Sequence, residues 1–275
     1  MKKILSLLAA GALLFAACCK DTTETPTKSV TFNCNGDWQQ TKDLSANGSS
    51  MTDIWVFDYV GGVLQQTITQ SDNTASDFGT PTLNLTYGTH TLYFVTSRGI
   101  TPTVNTTNHN ITWVKPSDTF HKTLSITVDA NTTGQTVTLE RVVAKLKMTI
   151  NDAIATGTTD FLVTPHLWYY GLDYTTGDPT ASTTDQAITL NCPSTYIGQS
   201  GKFMTVYTFS SSAQWNTNVT LTAMAGTTTI STVSIPNVPL QRNHSTDYSG
   251  NLFTNGGTST LTLNDTWGDP ITGTW

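Results

Sequence analysis

"TVTLERVVAKLKMTI", Thr136–Ile150, is the stretch whose reading decides the fold. Only 13 of the 275 residues are Lys or Arg, yet Arg141, Lys145 and Lys147 fall here among aliphatic side chains. At helical spacing Leu139, Val142, Val143 and Leu146 would share a face. At strand spacing Val142, Ala144, Leu146, Met148 and Ile150 point one way, and Arg141, Val143, Lys145, Lys147 and Thr149 the other. The alternation is cleaner from Ala144 to Ile150, and the Thr-Val-Thr run before it is poor helix. The stretch therefore reads as a long strand with one buried side and a basic face toward solvent or another domain. An inward Lys is costly unless paired, so the period fixes the register. A strand this long can serve two sheets. It lies near mid-chain, which places a domain boundary at its centre, between residues 143 and 144.

Working outward, strand signals recur on both sides. "SVTFNCN" (Ser29–Asn35) alternates. "MTDIWVFDY" (Met51–Tyr59) reads as a half-buried strand, and the turn "VGG" returns it through "VLQQTITQ" as a hairpin. "PTLNLTYGTHTLYFVTS" (Pro81–Ser97) puts Leu83 and Leu85 on one face, then Leu92, Phe94 and Thr96 on a face of the next strand. The stretch around Asn105–Asp118 looks irregular. Later strands are "KTLSITVDA", "FLVTPHLWYYGL", "QAITLNCP", "KFMTVYTFS", "NVTLTAMAG", "TTISTVSIP", "YSGNLF" and "STLTLNDTW", punctuated by Gly, Asn, Pro and Asp. No segment has a long, capped helical pattern.

Composition agrees. Charged residues make up 12%, against about 25% in typical soluble domains. Thr, Ser and Asn take their place, and Thr suits a strand whose outer face stays wet. The class is all-β and extracellular. A formal net charge of -6 without a sizeable basic cluster excludes nucleic acid as a natural partner.

The N-terminus points to the compartment. "MKK" is a short basic region, and "ILSLLAAGALLF" is an apolar run too short to span a bilayer comfortably. "FAAC", Phe15–Cys18, resembles a lipobox, which makes 1–17 a lipoprotein signal peptide and Cys18 the lipidated residue; Cys19 is the competing acceptor. Phe15 departs from the Leu more usual at that position. Residues 18–28 read as a lipidated polar tether. "CKDTTETPTKS" also resembles the export signal of surface lipoproteins in Bacteroidales-type bacteria. Cys34 and Cys192 remain. An oxidising compartment permits a bridge between them, and two separate thiols are the alternative.

"LERVVAKLKMTI" (Leu139–Ile150) and "VPLQRNHSTDYSGNLF" (Val238–Phe253) together resemble two signatures of the fimbrillin superfamily, the type V pilus subunits of Bacteroidales. "YGTHTLYFVTS" (Tyr87–Ser97), the lipobox and the terminal "LTLNDTW" fit the same pattern, and the resemblance spreads over most of the chain. It implies two transthyretin-like β-sandwich domains in tandem, residues 29–143 and 144–275, in a lipid-anchored surface protein of the outer membrane. It further implies that a protease removes the first strand of a polymerising subunit and that a neighbour's C-terminal strand fills the groove. The partners would be other fimbrial subunits and a host or bacterial surface ligand. One departure matters. Cleavage in such pilins is usually at Arg, but the first Arg here is Arg98, leaving Lys28 and Lys42 as candidate processing sites beside Lys20. If the first strand stays, the protein suits an anchor-like or accessory place in a pilus, or acts alone.

Candidate sites are few. The five histidines, His90, His109, His121, His166 and His244, form no metal-spaced cluster, and Ser residues form no nucleophile elbow. Asp173, Asp178 and Asp185 sit in a Gly/Pro/Thr loop where Asp caps turns. No catalysis, metal or cofactor is expected. Trp168, Tyr169 and Tyr170 lie adjacent on a strand, so Trp168 and Tyr169 face opposite sides. An outward ring would contact a partner or glycan, and the rival reading is then a glycan-binding lipoprotein of a polysaccharide-uptake system. A covered second face is the alternative. Leu261, Leu263 and Trp267 alternate as a candidate donor strand, or form a resident final strand. Arg242, Asn243 and His244 read as a connection whose side chains bond the backbone.

Overall fold

The computed structural model describes residues 25–36, 51–254, 260–264 and 272–274. These residues contain no α-helix, and the fold is all-β as expected; a 3-10 turn lies at Ser194–Tyr196. The first half supplies β1 (Thr27–Gly36), β2 (Asp53–Val60), β3 (Val63–Gln70), β4 (Thr82–Thr86), β5 (Gly88–Ser97), β6 (Ile100–Asn105), β7 (Asn110–Lys115), β8 (Thr119–Val128) and β9 (Gln135–Arg141). The second half supplies β10 (Val143–Ile150), β11 (Asp160–Pro165), β12 (Trp168–Asp173), β13 (Asp178–Thr183), β14 (Ile188–Asn191), β15 (Lys202–Phe209), β16 (Trp215–Ala225), β17 (Thr228–Leu240), β18 (Ser245–Gly250), β19 (Thr260–Asn264) and β20 (Thr272–Thr274).

The opening stretch behaves as a strand interrupted once. β9 joins the seven-stranded sheet β3-β2-β5-β8-β9-β1-β4, and β10 joins the five-stranded sheet β15-β10-β18-β19-β20. Val142 is the step between them, its N–H donating to Thr119 O at 3.0 Å and its carbonyl accepting from Ser210 N at 3.2 Å. Beyond it Ala144, Leu146, Met148 and Ile150 are buried while Lys145, Lys147 and Thr149 are half-buried, the alternation read from the sequence.

Each half has its own core. Val30, Phe32, Ile54, Val56, Phe78, Leu83, Leu85, Leu92, Phe94 and Leu139 fill the space enclosed by the curled seven-stranded sheet. Leu146, Met148 and Ile150 meet Phe161, Val163, Leu221 and Ile235 of the sheet β14-β11-β16-β17. A fourth sheet, β13-β12-β7-β6, takes two strands from each half. Beneath it lies a third core holding Trp55, Phe57, Tyr59, Ile111, Trp113, Leu172, Tyr174 and Phe209.

That sheet corrects three expectations. β2 is buried on both faces rather than one, because Trp55, Phe57 and Tyr59 face the third core while Ile54 and Val56 face the first. The stretch read as irregular contains β7, whose alternating Ile111 and Trp113 supply the same core. Asp178 begins a strand, β13, rather than lying in a loop. β13 and β6 are edge strands, where Pro179 and Pro102 need no ladder partner for a missing N–H. The β2–β3 hairpin forms as read, with Gly61 and Gly62 at φ of +57° and +82°, a conformation that suits a two-residue turn and only glycine adopts freely.

Candidate functional site

β1 and the cleft it fills form the candidate site. Val30, Phe32 and Cys34 alternate, so all three point into the first core. β1 changes partners midway. Residues 27–31 run antiparallel to β4, with Val30 opposite Leu83, and residues 32–36 run parallel to β9, with Cys34 opposite Val137. Two further main-chain bonds tie the changeover, Phe32 N to Pro81 O at 2.9 Å and Cys34 N to Gly79 O at 2.8 Å. The Phe32 ring lies 5.3 Å from that of Phe94. Removing β1 would leave unpaired main chain on β4 and β9 and bare the side chains of Leu83, Leu85, Val137 and Leu139, the conditions under which a new strand binds.

Lys28 lies inside β1, paired with Leu85, and its Nζ donates to Ala130 O at 2.9 Å. A protease needs an extended, unpaired main chain, so Lys28 is shielded while β1 is in place. Lys42, Cys18 and Trp267 lie outside the described residues. Residues 260–264, which carry Leu261 and Leu263, pair antiparallel with β18 of the same chain. Cys34 and Cys192 are free thiols in different cores, Cys34 buried in the first and Cys192 against the second, so no bridge joins them. Burial pushes the Cys34 thiol up to about 12.

The aromatic run is a correction. Trp168 is wholly buried, its indole N–H donating to Tyr207 O at 2.9 Å. Tyr170 is buried in the same core, and Tyr169 is half-buried, edge-on to Trp215 at 5.6 Å. Trp168 and Tyr170 thus enter the second core from one face of β12, while Tyr169, on the other face, stays half-buried.

The two signature stretches meet at the junction of the halves. Arg141 Nε and Nη2 donate to Asp118 Oδ1 and Oδ2 at 2.6 and 3.1 Å, both residues being largely buried. Arg141 Nη1 donates to Asn243 Oδ1 at 3.1 Å, and the guanidinium lies 4.6 Å from the Phe120 ring centre. Asn243 N bonds Val143 O at 2.9 Å. Arg242 donates to the carbonyls of Ser210 and Gly177, and His244 Nδ1 lies 2.7 Å from Arg242 O. Burial lowers the Arg242 guanidinium, with Asp178 opposing. Burial likewise lowers Lys145, against the attraction of Asp247. The basic face thus divides: Arg141 turns to the junction of the halves, while Lys147 lies at the half-exposed surface of the second half beside Asp247 and Phe203.

At the far end of β10, Asp152 receives the main-chain N–H groups of Leu252, Phe253 and Thr254 at 3.0, 2.7 and 2.7 Å. Desolvation pushes this carboxyl up, but those bonds outweigh it and hold it below its usual value. Sequence reading missed Asp152. An Asp two residues after the first signature, with "GNLF" closing the second, was the available signal.

The sequence matches a family of unknown function, DUF6562, over residues 83–275, well over half of the chain. The chain belongs to this family. No curated protein matches the sequence. Among solved structures, this DUF6562 chain is similar to one assigned to the polysaccharide-binding DUF1812 proteins of Bacteroides thetaiotaomicron, at 9% identity and TM-score 0.56, covering 89% of this chain and 98% of that chain. A Bacteroides ovatus protein assigned to cell adhesion matches at 14% identity and TM-score 0.54, covering 91% and 98%. A fimbrial assembly protein of Parabacteroides distasonis matches at 13% and 0.50, covering 90% and 99%. At such identities the likeness establishes the shared fold, over nearly the whole length of both chains.

Proposed function

We propose that this DUF6562 protein is a structural subunit of a cell-surface fimbria of the type V kind, anchored in the outer membrane through a lipid on Cys18 and contributing to adhesion. The observation that carries the reading is the fold, shared end to end with proteins assigned to fimbrial assembly and cell adhesion. Two transthyretin-like sandwiches, divided at residues 143 and 144, belong to it. So does a resident first strand. With β1 in place the core is closed, which suits an anchor-like or accessory subunit. A cut in the connection that carries Lys42 would release β1 whole and open the cleft, and Leu261, Leu263 and Trp267 would then serve as the strand given to a neighbour. No enzymatic role is part of the proposal. The glycan-binding alternative is weakened, since Trp168 and Tyr170 are buried and only Tyr169 of that run is half-exposed.

The test is the N-terminus of the protein taken from its native cell surface, read by mass spectrometry. Lipidated Cys18 with β1 attached is the expected result for an anchored subunit. A new N-terminus directly after Lys42 would instead mark a polymerising one. An unmodified Met1, or a protein found only inside the cell, would overturn the proposal.

A further inference from the structure

We infer that the two halves of this chain fold, and resist force, as one cooperative unit clasped by the β12–β13 hairpin. By sequence that hairpin belongs to the second half, yet it adds to β7 of the first, with Gly171, Leu172 and Asp173 opposite Thr112, Ile111 and Asn110. Tyr174, directly after β12, is surrounded by first-half residues. Its N–H donates to His109 O at 2.9 Å, and its carbonyl accepts from His121 Nε2 at 2.8 Å. Its ring stacks on Phe57 at 3.9 Å, and its hydroxyl lies 2.9 Å from that of Tyr59. Phe209, at the end of β15, stacks on Trp113 at 4.9 Å.

Contacts also run the other way. Arg141 reaches Asn243, Arg98 Nη2 donates to Tyr207 OH at 3.2 Å, and Val142 and Val143 accept main-chain bonds from Ser210 and Asn243. Jointed domains meet through modest, mostly polar surfaces that can part and rehydrate. This junction is an apolar core of eleven buried residues drawn from both halves. Parting it would put Trp55, Phe57, Trp113 and Tyr174 into water and strip the cover from a buried Arg–Asp pair. Neither half can lose the other and keep its fold. The inference stands on topology alone and holds whether or not the chain serves a fimbria.

Native-state hydrogen exchange on the full mature chain tests it. Val163→Ala is a change wholly within the second core. If the halves are one unit, it accelerates exchange of the Phe94 amide in the first half by the same factor as that of Leu221 in the second. Acceleration at Leu221 with Phe94 unchanged would overturn the inference. Tyr174→Phe keeps the ring and removes its hydroxyl pair; it should speed both amides equally, and an effect confined to one half again refutes it. Stretching the chain between its termini should give one unfolding event whose length accounts for both halves, and two separate events would refute it too.

Discussion

Phe32→Ala is the sharpest probe of β1. The ring is wholly buried and sits 5.3 Å from Phe94. Transfer of a Phe side chain to water is worth about 2 kcal/mol, the ring pair adds about 1 kcal/mol, and the cavity left between β1 and β5 brings the loss to about 3–5 kcal/mol. The melting temperature should fall by roughly 6–20 °C, at about 2–4 °C per kcal/mol for a chain of this size. The loss bears first on the strand that carries the ring. The population with β1 detached should rise by roughly 100- to 4000-fold, at about 1.4 kcal/mol per decade. Cys34 reports it, because its thiol is buried two residues along the same strand and pushed up to about 12 by desolvation. Labelling with a disulfide reagent at mild alkaline pH, with the more exposed Cys192 as internal reference, should accelerate at Cys34 by that factor. The acceleration should depend only weakly on urea, since little surface is exposed when one strand leaves. An unchanged labelling rate, or a urea dependence equal to that of complete unfolding, would refute the reasoning.

Other expectations concern the junction and the clips. Asp118→Asn breaks the bidentate pair with Arg141 and leaves a buried guanidinium without its counter-charge, so the urea midpoint should drop by an equivalent of about 3 kcal/mol at constant slope. Gly171→Ala puts a methyl 2.6 Å from Thr180 Oγ1 and 2.9 Å from Thr112 Cγ2, which should destabilise by about 1–3 kcal/mol. Thr180→Ala should recover part of that loss in a double-mutant cycle. Stability should fall on acidification in two stages, readable by chemical denaturation across pH. Burial lowers His121 below its usual 6.5, so the unfolded chain takes up that proton first and stability declines as pH drops through 6.5; His121→Asn should abolish this stage. Asp152 is held below its usual 3.8, so its contribution is complete above that value and disappears as pH falls further; Asp152→Asn should flatten the second stage.

Much of the fold is legible one strand at a time. The period-two pattern of Ala144–Ile150 fixes which side chains are buried, because a one-residue slip would bury Lys145 and Lys147. Val30, Phe32 and Cys34 declare an inward face in the same way, and the paired glycines after Val60 declare a hairpin. Trp168 shows where this stops. Alternation says that neighbouring rings face opposite sides, but not whether a side is open: Trp168 and Tyr170 enter the second core, and Tyr169 lies half-buried against Trp215. β7 was hidden for a related reason. Its six residues are short and polar at the rim, and only the third core makes Ile111 and Trp113 meaningful.

The sequence by itself determined the all-β class, the strand at the centre of the chain, and the burial register of its two parts, since these depend on neighbours two residues apart. Only the tertiary structure decided what the two parts of that strand join and why the basic residues are there. Arg141 finds Asp118 23 positions away and Asn243 102 positions away, and Tyr174 finds Tyr59 across 115. No local pattern encodes such distances. They arise because β12 and β13 cross to the first half and bury a third core there, which joins the two halves at a place the sequence marks only as a run of charges.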